Sequence, residues 1–142
     1  MEIHTFGAFD VLVDGAVVTF NRTKAKELLA YLVDRQGGVT RAEAFSILWN
    51  DGAYDRRMQK QLDVIIRSLR STLESHGVGE IVQLDAGRLF LRAELVSCDL
   101  YRFLDGDVKA LRSFRGEYLS QYEWARESEA RLDLMWQHDR PS

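Results

Sequence analysis

The stretch QLDVIIRSLRSTL, residues 61–73, decides how this chain is expected to fold. An α-helix turns by about 100° per residue, so the apolar residues of this stretch fall on one narrow stripe that must face a core. The residues of that stripe are Leu62, Ile66, Leu69 and Leu73. The opposite side is polar apart from one valine and holds Lys60, Val64, Arg67 and Ser71, with Arg57, Gln61 and Ser68 at its border. The pattern predicts an amphipathic helix from about residue 55 to residue 76.

The segments on either side of this helix give it a structural context. Before it, Thr40 and Glu43 have the spacing of a capping box, which predicts the start of another helix, and the break NDGAYD at residues 50–55 separates the two. After it, residues 81–92 predict two strands joined by a tight turn at Asp85-Ala86-Gly87. This order is typical of a helix-turn-helix followed by a hairpin wing.

The two ends of the chain extend this core. Residues 3–20 alternate between apolar and polar positions and contain the turn signal Asp14-Gly15, which predicts two or three short antiparallel strands. Residues 22–38 predict a helix that stops at Gly37. From Cys98 onward the pattern is helical again, and the change of texture near residues 96–97 predicts the boundary of an appended helical segment.

The charges of the chain are unevenly placed. The formal net charge is -3, which by itself does not indicate a nucleic-acid partner. Residues 55–73, however, carry an excess of three positive charges, whereas residues 117–139 carry an excess of four negative charges. Because salt screens distant charges beyond about 10 Å, a basic helix can attract phosphate even on an acidic protein. An ordinary solvated helix face remains the alternative explanation.

Several other classes of function find little support. Cys98 is the single cysteine, which excludes an internal disulfide and favours the reducing cytoplasm. No apolar run approaches the roughly 18 residues of a membrane span, and the N-terminal residues lack the pattern of a signal peptide. The three histidines, His4, His76 and His138, have no metal-ligand spacing. We therefore expect no metal, no cofactor and no enzymatic activity.

The residues described above resemble the OmpR-type winged-helix DNA-binding domain, and more closely its variant in SARP-family transcriptional regulators and related response regulators. The similar segments are TFGAFDVLVDG for the opening strands, RTKAKELLAYLVDRQGGVTRAEAFSILW for the first two helices, QLDVIIRSLRSTL for the recognition helix, LDAGRLFL for the wing, and CDLYRFL with FRGEYLSQYEWARE for the start of the SARP helical region. The resemblance implies an α+β winged helix-turn-helix with an N-terminal antiparallel sheet, a three-helix core, a C-terminal β-hairpin wing and appended C-terminal helices. It implies a DNA-binding domain at residues 1–96 and a helical extension at residues 97–142.

The resemblance also implies a function and a set of contacts. The chain would be a cytoplasmic transcription regulator that binds double-stranded DNA, with the helix at about 55–76 in the major groove and the wing at about 81–92 near the minor groove. The residues facing DNA would be Lys60, Gln61, Val64, Ile65 and Ser68 toward the bases, Arg67 and Arg70 nearer the phosphates, and Arg88 on the wing, with Arg57 as a further DNA-binding residue at the border of the basic side. The partners implied are a second protomer on DNA, RNA polymerase at the 50–55 loop, and a receiver domain of a two-component system in a longer parent chain.

An alternative remains open at this stage. A winged helix can serve as a protein–protein interaction module that no longer reads DNA. Three features suit that alternative: the apolar Val64 and Ile65 beside the basic side of the helix, the acidic Asp85 at the tip of the wing, and the aromatic residues of the last helix.

Overall fold

The structure is a computed structural model, and it describes residues 1–50 and 52–139, except for the side chain of residue 139. The described elements, in chain order, are β1 (Glu2–His4), β2 (Asp10–Val13), β3 (Ala16–Val17), α1 (Thr23–Arg35), β4 (Val39–Thr40), α2 (Arg41–Leu48), α3 (Arg56–Ser75), β5 (Val82–Asp85), β6 (Arg88–Leu91), β7 (Ser97–Cys98), α4 (Asp99–Leu104), α5 (Val108–Ser113) and α6 (Arg126–Asp139). Contacts between these elements divide the chain into two compact units.

The unit Thr19–Leu95 is built around three helices and a small sheet. Helix α3 packs against both α1 and α2, and the sheet has the strand order β4-β6-β5 with all neighbours antiparallel. The core is made of leucines that are fully buried, among them Leu28, Leu32, Leu62, Leu69 and Leu89. Each fully buried leucine contributes about 1.5–3 kcal/mol relative to an exposed one, so this packing fixes the orientation of α3.

The start of the second helix is as the sequence predicts. The Glu43 N–H donates to Thr40 Oγ1 over 3.1 Å, and the Glu43 carboxylate in return accepts from the Thr40 N–H over 3.5 Å. The reciprocal pair is a capping box, which satisfies two backbone donors that would otherwise lack partners. Asp55 caps α3 in a similar way, since its carboxylate accepts from the Met58 N–H over 2.9 Å.

The end of α1 differs from the expectation by one residue. Gln36, with φ of 62°, takes the left-handed conformation that closes the helix, and its N–H donates to the Leu32 carbonyl over 3.1 Å. The predicted stop at Gly37 is therefore wrong in position. Glycine is the usual residue for this conformation, but other residues adopt it where the helix geometry demands it.

Both hairpin turns lie where the sequence predicts them. Strands β2 and β3 are joined by Asp14 and Gly15, with φ of 51° and 79°. Strands β5 and β6 are joined by Ala86 and Gly87, with φ of 50° and 77°. Two consecutive positive φ values define the tight turn whose twist matches that of the flanking strands. The second of these hairpins is the wing.

The second unit consists of Met1–Val18 and the chain from Val96 onward. Its sheet has the order β3-β2-β1-β7, antiparallel except that β7 runs parallel to β1. The Asp99 carboxylate strengthens that junction, because it accepts from the Thr5 N–H, the Thr5 hydroxyl and the Phe6 N–H over 2.6–3.0 Å. The N-terminal strands thus group with the C-terminal helices, which differs from the predicted division into residues 1–96 and 97–142.

Candidate nucleic-acid interface

The outward side of α3 carries a row of exposed basic side chains. Leu62, Leu69 and Leu73 on the inward side have no solvent exposure at all, which turns the opposite side of the helix away from the core. The residues on that side, here called the basic stripe, are Arg57, Lys60, Val64, Arg67 and Ser71; all are exposed except Val64, which is half-buried. With a rise of about 1.5 Å per residue, the stripe extends for roughly 20 Å. The predicted two-sided helix is confirmed.

The positive charges of the stripe form no ion pair with any acid that the structure describes. Within the described part of the chain, Arg57, Lys60 and Arg67 take part in no ion pair. The acid nearest to them along α3, Asp63, pairs instead with Arg41 at the start of α2. This pair also ties α2 to α3. Among the residues that the structure describes, the stripe is therefore a cationic surface without ion-paired acids, on a helix that packs against α1 and α2.

Two of the remaining predicted residues of α3 are placed as expected beside the stripe, and one is not. Gln61 is exposed and Ser68 is half-buried. Ile65 retains only 5% of its exposure and belongs to the core. It lies about 60° around the helix from the fully buried Leu62, which places it on the inward side. The expectation that Ile65 faces a DNA groove is wrong for that reason.

Arg70 lies apart from the stripe. It is half-buried and lines a groove of about 500 Å³ between the second half of α3 and strand β5, together with Glu74, Glu80 and Gln83. Its Nε atom is buried and makes no hydrogen bond within the described residues. The guanidinium is therefore partly desolvated and has two carboxylates in the same groove. A phosphate contact from Arg70 would be weaker than one from the stripe.

The wing presents little net charge near its tip. Arg88 is exposed, but it is the direct cross-strand partner of Asp85, and such partners have Cβ atoms about 5 Å apart. Its guanidinium also lies 3.5 Å from the Gly38 carbonyl oxygen. The one basic residue that the sequence predicts on the wing thus lies directly across from an acid, although the two form no ion pair within the described residues.

The loop between α2 and α3 is anchored by aromatic rings. Phe45 stacks on Trp49 with ring centroids 5.6 Å apart and lies 5.0 Å from the ring of Tyr54. The Lys24 ammonium is 5.0 Å from the centroid of Trp49, a cation–π distance. These contacts fix both ends of the loop predicted to face RNA polymerase, while position 51 lies outside the described residues.

Sequence reasoning missed two contributors to this surface. Arg56 is exposed at the first residue of α3 and lies within about 40° of Lys60 around the helix. Its position in a run of two arginines was visible in the sequence. Arg41 neutralises Asp63 and so leaves the stripe more positive. That pairing joins residues 22 positions apart, and no local pattern signals it.

Two features of the described residues bear on metal binding and on thiol chemistry. Among the described residues, no group of three His, Cys, Asp or Glu side chains could hold a metal ion. Burial raises the pKa of the Cys98 thiol to about 12, so the reactive thiolate is not populated near neutral pH.

None of the described helices is sufficiently long and apolar to cross a bilayer.

The fold is an α+β winged helix-turn-helix with appended C-terminal helices. A similar solved structure is that of Mycobacterium tuberculosis EmbR in complex with a low-affinity phosphopeptide, with a TM-score of 0.80 and 18% sequence identity. The match covers 97% of this chain and 43% of the EmbR chain. No family model matches the chain. No curated protein matches it either.

Proposed function

We propose that this chain is the DNA-binding part of a non-catalytic transcription regulator. Helix α3 would enter the major groove of double-stranded DNA, and the wing formed by β5 and β6 would lie near the minor groove. The observation that carries the proposal is the set of three exposed basic side chains, Arg57, Lys60 and Arg67, which form no ion pair within the described residues and lie on a helix whose other side is buried. The major groove is about 12 Å wide and admits an α-helix with its side chains.

The residues of the interface have different roles in this proposal. Arg57 and Arg67 bind phosphates and contribute most of the affinity, which is therefore strongly dependent on salt. Lys60 and Gln61 reach base edges, where lysine suits guanine and glutamine suits adenine. The remaining predicted residues contribute less: Ser68 as a short hydrogen-bonding group, Arg70 from its groove, and Arg88 on the wing.

The partners of the longer protein are part of the same proposal. Because the EmbR chain extends well beyond the matched part, we propose that further domains, such as a receiver, belong to the parent of this chain. Two protomers would bind adjacent half-sites, and the aromatic-anchored loop at residues 50–55 would face RNA polymerase. The compartment would be the cytoplasm.

A titration with duplex DNA of random sequence tests the function. We expect binding at about 50 mM salt that falls steeply by about 200 mM. The double variant Arg57→Gln/Arg67→Gln should reduce the slope of log Kd against log salt by about 2, because each lost phosphate contact removes about 0.9. The matched control is Lys109→Gln/Arg112→Gln, which removes the same charge from exposed positions of α5 and should leave the slope unchanged.

The rival function, a protein-interaction module, predicts a different outcome. It predicts no binding to duplex DNA at low salt, or equal binding by the two double variants. One observation weakens it: Ile65 is in the core, so the outward side of α3 lacks the contiguous apolar patch that marks a protein-binding surface.

A further inference from the structure

We infer that Val64 contacts the 5-methyl group of a thymine, so that the preferred DNA carries a methyl-bearing pyrimidine beneath the middle of α3. The inference rests on the proposed function and adds a specificity-determining residue to it. The contact of Val64 would affect which DNA sequence is preferred, whereas the exposed basic side chains of α3 would affect whether any duplex is bound at all.

The position of Val64 separates it from every other apolar residue of α3. It lies about 200° around the helix from the fully buried Leu62 and stands between Lys60 and Arg67. All twenty residues of Arg56–Ser75 are described, and the other apolar side chains in that range lie on the core side: Met58, Leu62, Ile65, Ile66, Leu69 and Leu73. Val64 is therefore the single apolar side chain of α3 that faces outward.

The neighbours of Val64 indicate what kind of surface it can meet. The residues three and four positions away, which flank it on the helix surface, are all polar or charged: Lys60, Gln61, Arg67 and Ser68. A partner protein would need a wider apolar patch. The floor of the major groove offers the complementary arrangement, because the thymine methyl is an isolated apolar group among hydrogen-bond donors and acceptors.

The side chain is well suited to a small, fixed contact. A valine in a helix has one strongly preferred χ1 rotamer, so its two methyl groups are held in place before binding and little side-chain entropy is lost. Valine is also a poorer helix former than the alanine, lysine or glutamine that would serve at an exposed position. Val64 is half-buried on the outward side and is not part of the core, so burial offsets only part of this cost.

Replacement of single thymines by uracil tests the contact, because it removes one methyl group at a time. A duplex is first selected by the wild-type chain from a random pool, and each thymine in it is then replaced in turn by uracil, which pairs with adenine but lacks the methyl group. Burial of one methyl group corresponds to about a fourfold change in affinity. We expect one replacement to weaken wild-type binding by about fourfold, and Val64→Ala to bind the thymine and uracil duplexes equally.

A matched control and the contrary outcomes complete the test. Val108→Ala removes the same atoms from an exposed valine of α5 and should keep the full uracil effect. The inference is overturned if no thymine methyl affects binding, or if the uracil effect persists in Val64→Ala. In both cases the wild-type chain would still bind DNA, so the proposed function would stand. Failure to bind any duplex at low salt would overturn both.

Discussion

The outward side of α3 and the wing are both turned toward DNA in the proposed complex, yet their charges are arranged differently. Arg57, Lys60 and Arg67 take part in no ion pair within the described residues, whereas Arg88 has the acid Asp85 as its direct cross-strand partner. The fold gives both elements their shape, but the placement of the charged residues determines which of them attracts phosphate. The helix should therefore provide most of the affinity, and the wing should contribute mainly through its shape.

The largest expected effect tests the orientation of the helix on which this comparison depends. Ile65→Ala should lower the free energy of unfolding by about 2–5 kcal/mol, because it leaves a cavity in the core. Val64→Ala, at the adjacent position, should change it by less than about 1 kcal/mol. Urea denaturation followed by circular dichroism measures both. Equal losses would mean that Ile65 and Val64 are equally buried, and so that α3 is not oriented as described.

A smaller effect concerns the start of α2, which packs against α3. It separates the stability of the fold from the charges on α3 that would bind DNA. Thr40→Ala removes the capping box of α2 and should lower the free energy of unfolding by about 1 kcal/mol. The affinity of the folded protein for DNA should not change, since no charge is lost. Ser46→Ala, at an exposed position of the same helix, is the control and should be neutral or slightly stabilising. A strong loss of DNA affinity in Thr40→Ala would place the N-terminus of α2 within the interface.

The smallest effect concerns the wing itself. Asp85→Asn removes the acid opposite Arg88 and should tighten binding to duplex DNA by about two- to threefold at low salt, the size of a weak exposed charge interaction. The gain should disappear at high salt because the interaction is screened. Asp105→Asn makes the same charge change at the exposed end of α4 and should have no effect. An unchanged affinity in Asp85→Asn would place the wing far from the phosphates.

Local patterns predicted the parts of this fold that depend on neighbouring residues. The capping box at Thr40, the turns at Asp14-Gly15 and Ala86-Gly87, and the two-sided helix were all visible because each depends on residues within one or two turns of the chain. Arg57, Lys60 and Arg67 were visible for the same reason, as members of one helical stripe.

The features that the sequence did not predict depend on distant contacts. Whether Ile65 belongs to the core depends on how wide an arc α1 and α2 cover, which the periodicity of α3 alone does not fix. The parallel pairing of β1 with β7 joins residues more than ninety positions apart. The pairing of Asp63 with Arg41 likewise joins two helices. The burial of Ile65 removes it from the candidate interface, and the pairing of Asp63 with Arg41 leaves the basic stripe more positive. The pairing of β1 with β7 groups the N-terminal strands with the C-terminal helices.

The salt dependence of DNA binding compares the helix and the wing most directly. The slope of log Kd against log salt should be measured on one duplex for the wild-type chain, for Arg67→Gln and for Arg88→Gln. Unpaired charge on α3 predicts that Arg67→Gln lowers the slope by about 1 and that Arg88→Gln lowers it by less than about half as much. Equal slopes for the two variants, or a larger change for Arg88→Gln, would contradict the account.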